Sequence, residues 1–374
     1  MKITDISTTI LFDPNTPQLQ DATVPKLWKG GGTHIYLHLK TDAGIEGLGY
    51  SQAMPAYAVR EIIERELKDL LIGQDPFNIE KLWNDMFWRI RNYGRKGVAF
   101  HAISTVDVGL WDLKAKALNL PLYRLLNPRY ESVPVYGSGG WTHLTEKELV
   151  EEMTGFVEQG FPRVKMKVGK DFGQSEQEDL KRVSAVRKAV GDDTEIYVDA
   201  NNGYNVNQAI RMSHQFEDYD VKWLEEPVLA DNIDGMSEIV RATKIPVASG
   251  ENEYSIQGFK ELITRRGSDI VQPDVGRVGG VSEWMKVAAM ADAFGLLVAP
   301  HGVPNVHLHM CMGIRNLKVV EYFEGGYAMK GTAEFGLNQQ DVPKPVNGMW
   351  TPDPDKLGIG FDLLQSAVEK YSVD

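Results

Sequence analysis

Apolar residues recur at two different periods along this chain, and the change of period divides it. Residues 1–12 alternate as a strand does, and Ile35, Leu37 and Leu39 alternate again over His34–Lys40. Asp42-Ala43-Gly44 then turns the chain into a second run, Ile45–Ser51, which is a hairpin signal. Helical patterns follow at about 56–72, 79–91 and 97–118, so the first third predicts an α+β unit with its strands first. From Val133 onward, short apolar runs alternate with helical stretches. Seven runs end on an ionisable residue: Lys167, Asp199, Glu225, Glu251, Asp274, His301 and Glu321. These ends lie 32, 26, 26, 23, 27 and 20 positions apart, each gap long enough for a loop and one helix. Val133–Tyr136 supplies an eighth strand, since Pro134 is tolerated at a strand's start. Thr145 with Glu148, and Ser175 with Glu178, read as capping boxes opening two of the helices, which Gly160 and Gly191 close. The rhythm is that of a (β/α)8 barrel, whose strands deliver their C-terminal ends to one mouth.

Two segments stand outside this rhythm. Residues 14–33 form a long polar, Gly-rich stretch, and a loop of that length in a compact domain predicts a lid or a disordered excursion. Trp28 suits a purely solvated loop poorly, while Lys26 and Lys29 could reach an anionic substrate. The Pro-, Gly- and Asp-rich end of the chain is expected to pack back on the N-terminal unit. The expected division is a cap over 1–128, joined by 342–374, and a barrel over 129–341.

At 374 residues the chain suits a barrel plus a smaller partner. Lys and Arg number 40 against 52 Asp and Glu, giving a formal charge of −12 with no basic cluster. Nucleic acid and anionic membranes are therefore not expected partners. The one cysteine, Cys311, precludes an internal disulfide and fits a reducing compartment; between Met310 and Met312 it reads as a small buried apolar residue. The first residues lack the apolar core of a signal peptide, and the longest apolar stretch, near 287–300, is interrupted by Asp292. A cytoplasmic location is expected.

The strand ends carry the chemistry. Asp199, Glu225 and Glu251 close consecutive repeats and form an all-oxygen set, which suits Mg2+ rather than zinc. Glu225 and Glu226 are not separable by pattern, because only one of two neighbours can point inward. Lys165 and Lys167 share one face of their strand, and two neighbouring ammonium groups would depress each other's pKa and leave a neutral lysine base. Asp274 could orient His301 and raise its basicity. His307 and His309, in a following helix, read as structural.

With these motifs in place the chain resembles the enolase superfamily, and within it the mandelate racemase subgroup. The resemblance is carried by Val164-Lys165-Met166-Lys167-Val168-Gly169, Val198-Asp199-Ala200-Asn201, Trp223-Leu224-Glu225-Glu226-Pro227, Gly250-Glu251-Asn252, Gln272-Pro273-Asp274 with Gly279-Gly280, and Ala299-Pro300-His301. It implies a (β/α)7β barrel with an α+β capping domain made from both termini. It makes Asp199, Glu225 and Glu251 the Mg2+ ligands, settling Glu225 over Glu226. It makes Lys167 the base on one face and His301, backed by Asp274, the acid/base on the other. Glu321 takes the place of a glutamic acid that hydrogen-bonds the substrate carboxylate, and Lys165 and Asn201 support the site. Lys26, Trp28 and Lys29 are candidates for contact with the far end of the substrate. The segments around 270–280, 307–309, 348–350 and 358–361 are most like the acid-sugar dehydratases. The implied activity is dehydration of an aldonate or aldarate to a 2-keto-3-deoxy acid by a homo-oligomeric enzyme. A two-base racemase or epimerase of a 2-hydroxy acid is the alternative. A lysine-for-histidine pattern would mark cycloisomerases, from which His301 sets this chain apart.

Overall fold

The computed structural model describes residues 1–14, 19–23, 32–51, 55–323 and 342–373. The candidate contacts Lys26, Trp28 and Lys29 lie outside the described residues, as does the turn immediately after Ser51.

Three strands, β1 (Ile3–Asp13), β2 (Gly32–Thr41) and β3 (Glu46–Ser51), build an antiparallel sheet in the expected order. Its apolar face, with Ile6, Ile10, Ile35, Leu37 and Leu39, buries against helices at 56–71, 79–89 and 98–117. The long helix Val98–Ala117 lies so close to β3 that a methyl group on Gly49 would sit 2.2 Å from the carbonyl oxygen of Thr105. Only glycine permits that approach.

Eight parallel strands follow: β4 (Val133–Ser138), β5 (Arg163–Lys167), β6 (Glu195–Asp199), β7 (Val221–Glu225), β8 (Val247–Ser249), β9 (Ile270–Val271), β10 (Leu297–Val298) and β11 (Val320–Tyr322). They pair in the order β10-β9-β8-β7-β6-β5-β4-β11, and Val298 closes the ring by bonding the backbone of Asn316 and Lys318 at 2.8 Å each. The interior is a packed layer of Tyr136, Tyr197, Trp223, Ala248, Ile270, Ala299 and Val319. Tyr197 and Trp223 stack with centroids 3.9 Å apart. Because strand side chains repeat every two residues, the positions two beyond Tyr197, Trp223, Ala299 and Val319 are Asp199, Glu225, His301 and Glu321, while Glu251 and Asp274 stand in the loops after β8 and β9.

Two details differ from expectation. Thr145 and Glu148 do form a capping box, but Ser175 makes no cap bond and its hydroxyl donates to Asp171 instead. The C-terminal segment does return to the cap, where β13 (Ser372–Val373) pairs with β1. Before that, however, β12 (Met349–Trp350) pairs antiparallel with β4, so this segment also braces the barrel. Asp112 joins these parts, accepting from the backbone N–H groups of Leu48 at 2.7 Å and Ile359 at 2.8 Å. At the cap–barrel junction, Asp107 caps the helix Gly280–Ala293 through the N–H and hydroxyl of Ser282, at 2.9 and 2.7 Å. Among the described residues, no helix is long and apolar enough to cross a membrane.

Candidate active site

Asp199 and Glu225 end β6 and β7, and Glu251 follows β8 by two residues. All three are buried, and one carboxylate oxygen of each lies within 4.8 Å of the others. Lys165 sits beneath them, fully buried, with its Nζ 2.7 and 2.9 Å from the two oxygens of Glu225 and 3.0 Å from Glu321 Oε1. Lys167, one turn of the pleat higher, donates to Asp199 Oδ2, and its Nζ lies 5.1 Å from the centre of the Trp141 ring. The other oxygen of Asp199 accepts from the Asn201 N–H at 2.8 Å. Asn201 is therefore brought to the triad, its backbone in the left-handed region at φ of +39°.

On the far side of the triad, His301 Nε2 reaches to 3.3 Å from Glu251 Oε2, and its Nδ1 lies 2.9 Å from Asp274 Oδ2. With Asp274 accepting the Nδ1 proton, Nε2 is the nitrogen left facing the mouth. Arg277 bridges the two carboxylates, 3.3 Å from Asp274 and 3.3 Å from Glu251. Glu321 accepts from the Ser138 hydroxyl and the Gly302 N–H, both at 2.8 Å, besides Lys165.

The charges differ from the reading of the sequence. Burial lowers the lysines' affinity for a proton, but Glu225 and Glu321 outweigh it at Lys165, and Asp199 outweighs it at Lys167, so both are raised above the ordinary lysine value. Repulsion between the two ammonium groups is a smaller effect than their attraction to the carboxylates. The neutral lysine base expected from that repulsion is therefore not what these neighbours favour. Burial pushes Glu225 up to about 8, with Asp199 adding to the rise. Crowded buried carboxylates of this kind are costly without positive charge among them, and their all-oxygen donor set fits a hard divalent cation. Burial also works upward on Glu321, yet Lys165 and His301 hold it well below the usual carboxylate range. In this structure its oxygens accept from Ser138, Gly302 and Lys165. His301 is raised above 6.5 despite burial, by Glu251 and Asp274, and Asp274 is held down to about 2 against burial, by Arg277 and His301.

Several participants were not singled out in the sequence. Ser138 could have been found as the end of the first barrel strand, and Trp141 stands three residues beyond it. Gln272, the first residue after β9, is wholly buried, and its side-chain amide makes no hydrogen bond among the described residues. Arg277 carries no strand-end signal, because it lies in the loop after β9.

Comparison with known proteins accounts for nearly the whole chain. Residues 11–127 match the mandelate racemase / muconate lactonizing enzyme N-terminal domain, and residues 148–367 match the enolase C-terminal domain-like family. The chain belongs to the mandelate racemase branch of the enolase superfamily. It is 36% identical over 341 residues to the L-talarate/galactarate dehydratase of Salmonella typhimurium, covering 89% of this chain and 81% of that one. It is 36% identical over 346 residues to the arabinonate dehydratase of Saccharolobus solfataricus, covering 90% of each. It is also 35% identical over 332 residues to a 3,6-anhydro-alpha-L-galactonate cycloisomerase of Streptomyces coelicolor, covering 88% of each. Overall similarity therefore does not set this chain apart from cycloisomerases. Among solved structures, a racemase of Streptomyces coelicolor with bound magnesium superposes with a TM-score of 0.89 at 30% identity, covering 99% of this chain and 100% of that one.

Proposed function

We propose that this protein is a magnesium-dependent dehydratase of an acid sugar, an aldonate or aldarate, yielding a 2-keto-3-deoxy acid. One observation carries the reading: Lys167 and the His301–Asp274 pair lie on opposite sides of one buried carboxylate triad, touching Asp199 and Glu251 respectively. Asp199, Glu225 and Glu251 would hold the cation. When bound, it supplies Lewis-acid stabilisation of the negative charge that builds on the substrate carboxylate. Lys165 and Lys167 would share the Glu225 and Asp199 carboxylates with a bound cation, and their proton affinity would be lower beside it.

Of the two groups, one removes the α-proton and leaves its electron pair in an enediolate. The other delivers a proton to the β-hydroxyl, the C–O bond breaks, and water leaves. The enol that remains tautomerises to the keto acid. His301 suits proton delivery at Nε2, because Asp274 fixes Nδ1. Lys165 and Glu321 hold each other and the floor of the site. The talarate/galactarate and arabinonate dehydratases support a sugar-acid substrate for this chain.

The same two groups could instead exchange one α-proton between faces, a reading that the similar racemase favours. Incubation with Mg2+ and a panel of aldonates and aldarates in D2O separates the two. A dehydratase gives a semicarbazide-reactive product, whereas inverted, deuterated substrate with no carbonyl product would install the racemase reading. Lys167→Ala and His301→Asn should each lower kcat at least 100-fold while leaving Mg2+ binding in place. Loss of metal in either variant would assign that side chain to the cation site instead.

A further inference from the structure

We infer that Glu226, the partner of Glu225 in the Glu225-Glu226 pair, is a positioning residue that sets the spacing of the three triad carboxylates. The inference rests on the reading of that triad as a Mg2+ site.

Glu226 follows β7 with its backbone in the left-handed region, at φ of +35°, a conformation that a non-glycine residue adopts at a cost. Its backbone is held there from both sides: its N–H donates to Ala248 at 2.9 Å, and its carbonyl accepts from the Asn202 N–H at 2.8 Å. The side chain is wholly buried. Oε2 accepts from Asn202 Nδ2 and from Asn252 Nδ2, each at 2.8 Å, and Oε1 accepts from Asn252 Nδ2 at 3.0 Å. Neither asparagine can be turned around without loss. Asn202 Oδ1 already accepts from the Ala230 N–H at 2.7 Å, and Asn252 Oδ1 faces Arg277 Nη1 at 3.5 Å. Both amides therefore present N–H groups to Glu226, which is the arrangement a carboxylate requires.

The positions in the chain give this junction its consequence. Asn202 stands three residues after Asp199, Glu226 one after Glu225, and Asn252 one after Glu251. One carboxylate thus ties together the three loops that leave the three triad residues. Asp199 and Glu225 are bonded to lysines, whereas Glu226 takes its bonds from neutral amides and stands outside the triad. The network continues through Arg277, which donates to the Glu251 carbonyl at 2.8 Å and lies beside Asp274. Mg2+ demands near-ideal octahedral geometry, so small errors in ligand spacing weaken its binding, and removal of supporting groups of this kind typically costs about 10–100-fold in affinity.

The test is calorimetric titration with MgCl2 of the wild type, Glu226→Gln, Asn252→Asp and the double variant, with Asp199→Asn as control. Thermal unfolding of each in EDTA runs alongside. Glu226→Gln sets an NH2 group against Asn252 Nδ2, and Asn252→Asp sets two carboxylates face to face. Each should raise the Kd roughly tenfold or more. In the double variant the new amide donates to the new carboxylate, and most of the affinity should return. A Glu226→Gln Kd within about twofold of wild type, or no recovery in the double variant, overturns the inference. So does a loss of affinity matched by a fall in Tm in EDTA, because a carboxylate that only holds the fold together behaves in that way. If the wild type binds no Mg2+, or Asp199→Asn binds it as well as the wild type does, the metal reading itself is wrong.

Discussion

Neighbours set two buried histidines of this barrel to opposite charge states. His301 lies among carboxylates and is raised above 6.5 in spite of burial. His309 is held by backbone groups instead: its Nδ1 accepts from the Tyr123 N–H at 3.3 Å, its Nε2 donates to the Ile359 carbonyl at 2.9 Å, and burial pulls it down to about 4. His309 must therefore stay neutral to hold the helix Pro304–Cys311 against the C-terminal segment. The sign follows. Between pH 6.5 and about 4 the unfolded chain takes a proton that the folded chain refuses, so stability present above 6.5 is lost as pH falls through that window. The loss amounts to about 2 kcal/mol between pH 7 and pH 5 for this one group. His309→Gln, which does not titrate, should be less stable than wild type at pH 7 and should close part of that gap at pH 5. Urea midpoints at the two pH values decide it, and an unchanged gap would show that His309 does not carry the slope. In the sequence, the only difference between these histidines is that His301 ends an apolar run. That was enough to separate their locations. It could not give the charge of Lys165 or Lys167, which depends on carboxylates 32 to 156 positions away in the chain.

Elements are where the chain is most legible. The strands from β8 to β10 are two or three residues long and stop at Ser249, Val271 and Val298, so the apolar runs locate them but overrun their ends by two or three residues. Burial on all sides forces that pattern on any barrel strand. Helix starts were less secure, because a cap depends on side-chain rotamers that spacing does not determine. Thr145 and Glu148 bond reciprocally, with Thr145 accepting from the Glu148 N–H at 3.3 Å and Glu148 accepting from the Thr145 N–H at 2.9 Å. Asn205 and Gln208 do the same, although no serine or threonine marks them in the sequence. Ser175 has the right spacing and makes no such bond. Thr145→Ala should thus cost about 1 kcal/mol of stability, and Ser175→Ala only a few tenths. Denaturant unfolding of the two variants in parallel is the check; similar losses would mean that the spacing, not the observed bond, matters.

At the scale of the whole molecule, the cap contributes part of the mouth. Residues 19–23 leave the cap sheet and lie across three barrel loops. Thr142, after β4, donates its N–H to the Gln20 carbonyl at 2.8 Å, and its hydroxyl is 2.9 Å from the carbonyls of both Gln20 and Asp21. Phe172, after β5, donates to the Ala22 carbonyl at 3.0 Å, and the Thr23 hydroxyl donates to the Asn201 carbonyl, after β6, at 3.2 Å. Ala22 is buried against two glycines: a methyl group on Gly203 would lie 2.7 Å from its Cβ, and one on Gly169 would lie 3.1 Å away. This strap therefore rests on the loops that follow Lys167 and Asp199, and displacing it is expected to admit water to the site. Ala22→Val introduces bulk where even a methyl group is crowded, while leaving the barrel interior and the triad unchanged. Its expected effect is a fall in kcat/KM of tenfold or more, with Mg2+ affinity and Tm close to wild type. Thr142→Val removes only the hydroxyl bond and keeps the backbone one, so its loss should be roughly fivefold, about 1 kcal/mol. Steady-state kinetics on the best substrate of the acid-sugar panel, beside calorimetry and thermal melts, provide the measurement. If Ala22→Val turns over normally, the strap merely covers the barrel, and closure of the site over its substrate has to be sought in another part of the cap.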